Sequence, residues 1–148
     1  MSSIVDLALG KGSISLQQTC SSWRESFELA GAGLVQSNRT TNQYTKEMIQ
    51  AFEELGPYMV IAPGIALAHA RPSEAVLETG LSLVTLAKPV EFGSQSNDPV
   101  SLVIGLAARD HDGHIDLMAA LSELLMNDEK VNLLLNATNE GEVRSYLS

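Results

Sequence analysis

With one cysteine, nine basic residues and no uncharged run of membrane-spanning length, the chain excludes several classes before any motif is read. Cys20 has no partner for an internal disulfide, and its helical spacing with apolar neighbours reads as a buried thiol in a reducing compartment. At 148 residues the chain fits one domain spanning positions 1–148, with enough core to need neither disulfide nor structural metal. Nine Lys and Arg against 18 Asp and Glu give a net charge of −9. That balance argues against nucleic acid, whose binders neutralise phosphates with cations, and favours a basic protein partner. The first ten residues carry no basic leader and Asp6 breaks their apolar run, so no signal peptide is expected and the location is expected to be cytoplasmic. Catalytic signatures are scarce as well: there is no Walker loop, dinucleotide fingerprint, Gly-x-Ser-x-Gly or His-Glu-x-x-His.

What the chain does have is strong apolar patterning. Leu16, Cys20, Trp23, Phe27, Ala30 and Leu34 advance by fours and threes, which predicts a core-facing helix ending near Gly31 to Gly33. Tyr44, Met48, Phe52 and Leu55 predict a second helix, starting after Thr40 and Thr41 and stopped by Gly56-Pro57. Three strand-like runs follow, Tyr58 to Leu67, Gly80 to Ala87 and Val100 to Ala108, apolar enough to be buried on both faces. Positions 91–99 between the last two read as a solvent-exposed, mobile connector. Ile115, Met118, Leu121 and Leu125 predict a further helix, and two short ones close the chain, the last preceded by Asn139 and Glu142 in capping-box spacing. Interleaved helices and strands predict an α/β class with a central mixed sheet flanked by helices.

The chemistry concentrates where the first strand-like run ends, in Ala62-Pro-Gly-Ile-Ala-Leu-Ala-His69-Ala-Arg71-Pro72. Functional groups of open α/β domains gather at strand ends, and Arg71 brings a permanent charge with a fork of donors suited to phosphate. Pro72-Ser-Glu74 reads as the first turn of a helix, whose N-terminus would favour an anion. The plainer alternative for His69 is a half-buried imidazole satisfied by its surroundings. His114 is placed at or near a helix N-terminus, where an exposed histidine is the ordinary explanation; its functional role requires the first and third strands to be neighbours, so that it reaches an oxygen attached to His69. Asp110, His111, Asp112, His114 and Asp116 also invite a metal site, although they match no closed ligand set and no metal or other cofactor is expected.

Three segments, Ala62 to Pro72, Val103-Ile-Gly-Leu-Ala-Ala108 and His114-Ile-Asp-Leu-Met-Ala-Ala-Leu121, together resemble the enzyme IIA domains of the bacterial phosphoenolpyruvate-dependent sugar phosphotransferase system, in the mannitol/fructose class. The His-Ala-Arg-Pro form is similar to the ascorbate-type branch, and the likeness runs from about Leu16 onward. The resemblance implies a phosphocarrier: His69 receives a phosphoryl group from the carrier protein HPr and passes it to a IIB component, which serves a membrane IIC component that selects the sugar. It implies that His114 is the second active-site histidine, stabilising the phosphoryl group, and it leaves Arg71 to neutralise phosphoryl charge. Two departures stand out. Mannitol-type relatives carry an arginine on the helix upstream of the histidine where this chain offers Glu53 and Glu54, and Ala68 stands where proline is common, which is expected to loosen the backbone there. A second functional class is a regulatory module whose partner binding follows phosphorylation of His69; a third is a metal-dependent hydrolase using His111 and His114. Apolar strand and helix surfaces are compatible with a homodimer.

Overall fold

The computed structural model describes residues 3–110 and 115–147. Among them the order of elements is α1 (Ile4–Ala8), β1 (Leu9–Gln18), α2 (Trp23–Gln36), α3 (Asn42–Leu55), β2 (Val60–Ala62), β3 (Ile65–Ala68), β4 (Gly80–Val90), β5 (Val100–Ala107), α4 (Ile115–Leu125), α5 (Asp128–Asn136) and α6 (Glu140–Leu147). The strands form one mixed sheet in the order β1-β4-β5-β3-β2, with β1 parallel to β4, β5 parallel to β3, and the other two pairings antiparallel.

Alternation along the central strands divides the core into two layers. Ala66, Ala68, Val84, Val103 and Ala107 join Phe27, Leu34, Met48 and Phe52 beneath α2 and α3. Ile65, Leu67, Leu81, Leu83, Leu102 and Ile104 face the other way, onto Leu117, Leu121, Leu134, Val143 and Leu147 of α4 to α6. Each fully buried Phe or Leu contributes about 1.5–3 kcal/mol relative to exposure, which explains why both faces of the sheet are covered.

The element nearest the site is α3, and it is held by an aromatic cluster. Trp23 lies 4.1 Å from Phe52, centroid to centroid, Phe27 meets Phe52 edge-on at 5.4 Å, and Phe92 completes the group at 5.9 Å from Phe52. Such contacts add about 0.5–1.5 kcal/mol per pair beyond area burial. They leave the opposite face of α3 free to line a groove. The helix stops at Gly56, whose φ of +85° suits glycine, before Pro57 begins a single 3-10 turn ending at Met59.

Several expectations are corrected. Leu16 does not continue the first helical stripe; it lies in β1 and packs against the α4 to α6 layer, while α2 begins at Trp23 behind the Ser22 cap. Gly31 and Gly33 do not end α2, which runs on to Gln36; they are where its backbone approaches Thr45 of α3 and Ser13 of β1. The run from Tyr58 to Leu67 is not one strand but a 3-10 turn and a tight β2–β3 hairpin that reverses at Pro63-Gly64, where Gly64 takes φ +78°. The connector at 91–99 is less exposed than its composition suggests: Phe92 is buried, and the Asp98 carboxylate accepts from the amides of Phe92, Gly93 and Ser94. The capping-box spacing before the last helix gives an Asn139 cap, its Oδ1 accepting from the Glu142 amide at 2.9 Å, while the Glu142 carboxylate reaches back to the Thr138 amide rather than to that of Asn139.

Candidate functional site

The parallel pairing of β3 with β5 aligns Leu67 with Ile104 and Ala68 with Gly105, so both strands end at the same edge of the sheet. His69 is the first residue beyond β3, and β5 continues past the last paired residue, Gly105, to Ala107. The neighbour relation required for a shared site therefore exists. His111, Asp112 and His114 themselves lie outside the described residues, and with them lies the metal alternative; no cluster of three metal-ligating side chains occurs among the described residues.

The ring of His69 is fixed on one side only. Its Nδ1 lies 2.8 Å from the Leu67 carbonyl, which can only accept, so Nδ1 carries the proton of the neutral ring. Nε2 has no hydrogen-bond partner among the described residues and keeps its lone pair. His69 lines an open groove of about 840 Å³, together with Glu47, Gln50 and Glu54 of α3, Tyr58, and the segment Ala70-Arg71-Pro72-Ser73. Arg71 is exposed and makes no hydrogen bond or ion pair among the described residues, so its guanidinium is available to an incoming anion. Pro72-Ser-Glu74, by contrast, starts no helix: the segment takes an extended, turning course, with Val76 bridged to Thr40, and no helix N-terminus supplements Arg71.

The sequence matches, over residues 8–148, the family described as phosphoenolpyruvate-dependent sugar phosphotransferase system, EIIA 2. The chain belongs to this enzyme IIA family. It is 36% identical over 138 residues to the mannitol-specific cryptic phosphotransferase enzyme IIA component of Escherichia coli K12, covering 93% of each chain. The solution structure of that mannitol-specific cryptic enzyme from Escherichia coli superposes with a TM-score of 0.85 at 34% identity, covering 98% of this chain and 99% of that one. The ascorbate-specific EIIA component of the same strain is 38% identical over 132 residues, covering 88% and 86%. A complex of the mannitol enzyme IIA with phosphorylated mannitol enzyme IIB from Escherichia coli superposes at a TM-score of 0.81 and 28% identity, covering 94% and 96%. The protein is thus a phosphotransferase component of sugar uptake with the mixed-sheet fold of the mannitol class.

In this enzyme IIA the two acidic residues at the expected arginine position have separate surroundings. Glu53 pairs with Arg24 at 3.0 Å, away from His69, whereas Glu54 lines the groove and accepts from Gln50 at 3.0 Å. Arg71 is the one cation among the groove-lining residues described. The backbone ahead of His69 is not loosened by the absence of proline, because Ala68 is fully buried and paired with Gly105 in the ladder.

Tyr44 has a second role that its place in an apolar stripe conceals. Its ring is fully buried, and its hydroxyl donates to the Leu106 carbonyl at 2.7 Å and accepts from the Ala70 amide at 3.0 Å. Burial pushes this hydroxyl up to about 12, opposed by the Ala70 hydrogen bond and reinforced by the Glu47 carboxylate. The only signal in the sequence was general: a buried tyrosine must find a partner for its hydroxyl. Ser73 was also missed; its hydroxyl donates to Glu47 Oε1 at 2.6 Å, tying the segment after Arg71 to α3.

Proposed function

We propose that Nε2 of His69 accepts a phosphoryl group from phospho-HPr and passes it to a IIB component, within one enzyme IIA domain acting in the cytoplasm, for carbohydrate uptake of the ascorbate type through a membrane IIC component. The observation that carries this reading is the asymmetry of the ring: Nδ1 is committed to the Leu67 carbonyl, while Nε2 has no hydrogen-bond partner among the described residues and the ring lines an open groove.

Phosphoryl transfer proceeds through a loose transition state that asks for alignment and charge stabilisation rather than covalent help. The Nε2 lone pair attacks phosphorus as the nitrogen–phosphorus bond of the donor breaks, and that bond's electron pair returns to the donor imidazole. Positive charge developing on the His69 ring is met at Nδ1–H by the Leu67 carbonyl dipole. Arg71 neutralises the phosphoryl oxygens, and His114 supplies a further donor to them. The His-Ala-Arg-Pro form supports the ascorbate type, while 38% identity over 132 residues to an ascorbate-specific relative and 36% over 138 residues to a mannitol-specific one do not separate the two.

Intact mass of the protein incubated with phosphoenolpyruvate, enzyme I and HPr tests the proposal. One acid-labile phosphoryl group is expected on the wild type, none on His69→Ala, and onward transfer to an ascorbate-type IIB faster than to a mannitol-type IIB. A wild type that takes up no phosphoryl group from competent carriers would reject it.

A further inference from the structure

We propose that Tyr44 is a positioning residue for phosphoryl transfer, its hydroxyl clamping the two strand ends that carry the site and so setting the direction in which His69 presents Nε2. The inference rests on the carrier function proposed above and adds to it a residue that touches neither substrate nor partner.

The argument begins where the sheet stops. The β3–β5 ladder ends at Ala68↔Gly105, one residue before His69. Past that pair the register of the two strands does not continue, yet the His69 ring depends on the local chain path, because its Nδ1 bonds a carbonyl only two residues back. Tyr44 takes over where the ladder leaves off. Its hydroxyl donates to Leu106 on β5 at 2.7 Å and accepts from the amide of Ala70, the residue after His69, at 3.0 Å; the Ala70 carbonyl lies 3.2 Å away. His69 is therefore gripped on both sides, by the ladder at Ala68 and by the clamp at Ala70. The other arm fixes Leu106, from which the chain proceeds through Ala107 and Ala108 toward His114. One hydroxyl thus sets the spacing between the segment bearing His69 and the segment leading to the second histidine.

The hydroxyl is suited to the task because it is permanently a donor and sits where water cannot replace it, on a ring that is fully buried at the base of α3. Alignment matters in a reaction whose catalysis is mostly positioning: a misplacement of roughly 1 Å costs on the order of 100-fold in rate.

Tyr44→Phe keeps the ring and removes only the clamp. Three readouts separate positioning from general stability. Nitrogen-15 NMR of the histidine ring should show the wild type wholly in the Nδ1–H tautomer and Tyr44→Phe with a substantial Nε2–H fraction. Single-turnover phosphoryl transfer from phospho-HPr should slow by about tenfold or more at saturating donor, with the half-saturating donor concentration little changed. Ser13→Ala, which removes a buried hydroxyl's bond of 2.6 Å to the Gly10 carbonyl on the edge strand β1, should change neither. Should Tyr44→Phe fail to fold, hydrogen exchange on the wild type decides: the Ala70 amide is expected to be protected like the Ala68 amide. A folded Tyr44→Phe with wild-type tautomer and rate, or an Ala70 amide exchanging as fast as an exposed loop, would overturn the clamp. A wild type that accepts no phosphoryl group would instead overturn the carrier function, with the tautomer and exchange measurements still judging the clamp.

Discussion

Between the two nitrogens of the His69 imidazole, a single hydrogen bond decides which one would act as nucleophile in the proposed transfer. With Nδ1–H held by the Leu67 carbonyl, Nε2 is deprotonated in the neutral ring, which lines the groove, and it has no hydrogen-bond partner among the described residues. For the proposed transfer, Arg71 is the charge compensation available among the groove-lining residues described, since Glu47 and Glu54 in the same lining are of the wrong sign. Arg71→Ala is expected to lower the rate of phosphoryl acceptance by about 100-fold, the usual cost of losing one stabilising donor. Arg71→Lys should recover part of it, since charge returns but the planar fork does not; stopped-flow transfer from phospho-HPr checks both. Tyr44 makes its own contribution to stability. Because its hydroxyl titrates at about 12 in the folded protein against 10.0 in its ordinary state, the unfolded chain releases that proton first. The stabilisation is complete below about pH 10 and is lost as pH rises through about 12, by about 2–3 kcal/mol in all. Urea titrations at pH 8 and pH 11 should show about half of this loss, roughly 1.4 kcal/mol, in the wild type and a smaller one in Tyr44→Phe, which starts lower by about 1–3 kcal/mol for its unpaired Ala70 amide and Leu106 carbonyl.

At the scale of elements, the site depends on how closely α2, α3 and the sheet approach. Gly31 meets Thr45 so tightly that a Cβ there would overlap the Thr45 side chain, its Cβ included, at 2.7 Å. Gly31→Ala is expected to push α3 outward and cost about 1–3 kcal/mol, read as a lower urea midpoint with an unchanged m-value. This contact also explains why the helix boundary was misread: Gly31 and Gly33 look like stop signals in sequence and are approach points in space. The strand β1 escaped notice because Gly10, Gly12 and Lys11 interrupt its pattern while Leu16 and Cys20 happen to fall in step with the helix that follows. The strand ending at His69 was legible because four consecutive buried residues, Ile65 to Ala68, stop at a polar ring. The hairpin that begins it was not, since Pro63-Gly64 sits inside an otherwise apolar run. Tyr44 illustrates a different limit. Its partners Ala70 and Leu106 lie 26 and 62 residues away, and no local pattern encodes a contact made by the fold.

For the whole molecule, the topology makes the candidate site: a parallel pair, β3 and β5, inside a mixed sheet brings two strand ends to one edge, and α3 supplies the groove wall beside it. Among the described residues no helix is long and apolar enough to cross a membrane. With a net charge of −9, encounter with a basic protein is favoured electrostatically, while the proposed transfer would rest on the few groups at the groove. Their arrangement makes a claim about one atom, and the most direct test addresses that atom. The protein labelled with nitrogen-15 histidine, phosphorylated through phosphoenolpyruvate, enzyme I and HPr, should show one phosphorus-coupled ring nitrogen, Nε2 of His69, with Nδ1–H retained. Coupling at Nδ1, or a phosphoryl group on any residue other than His69, would contradict the account.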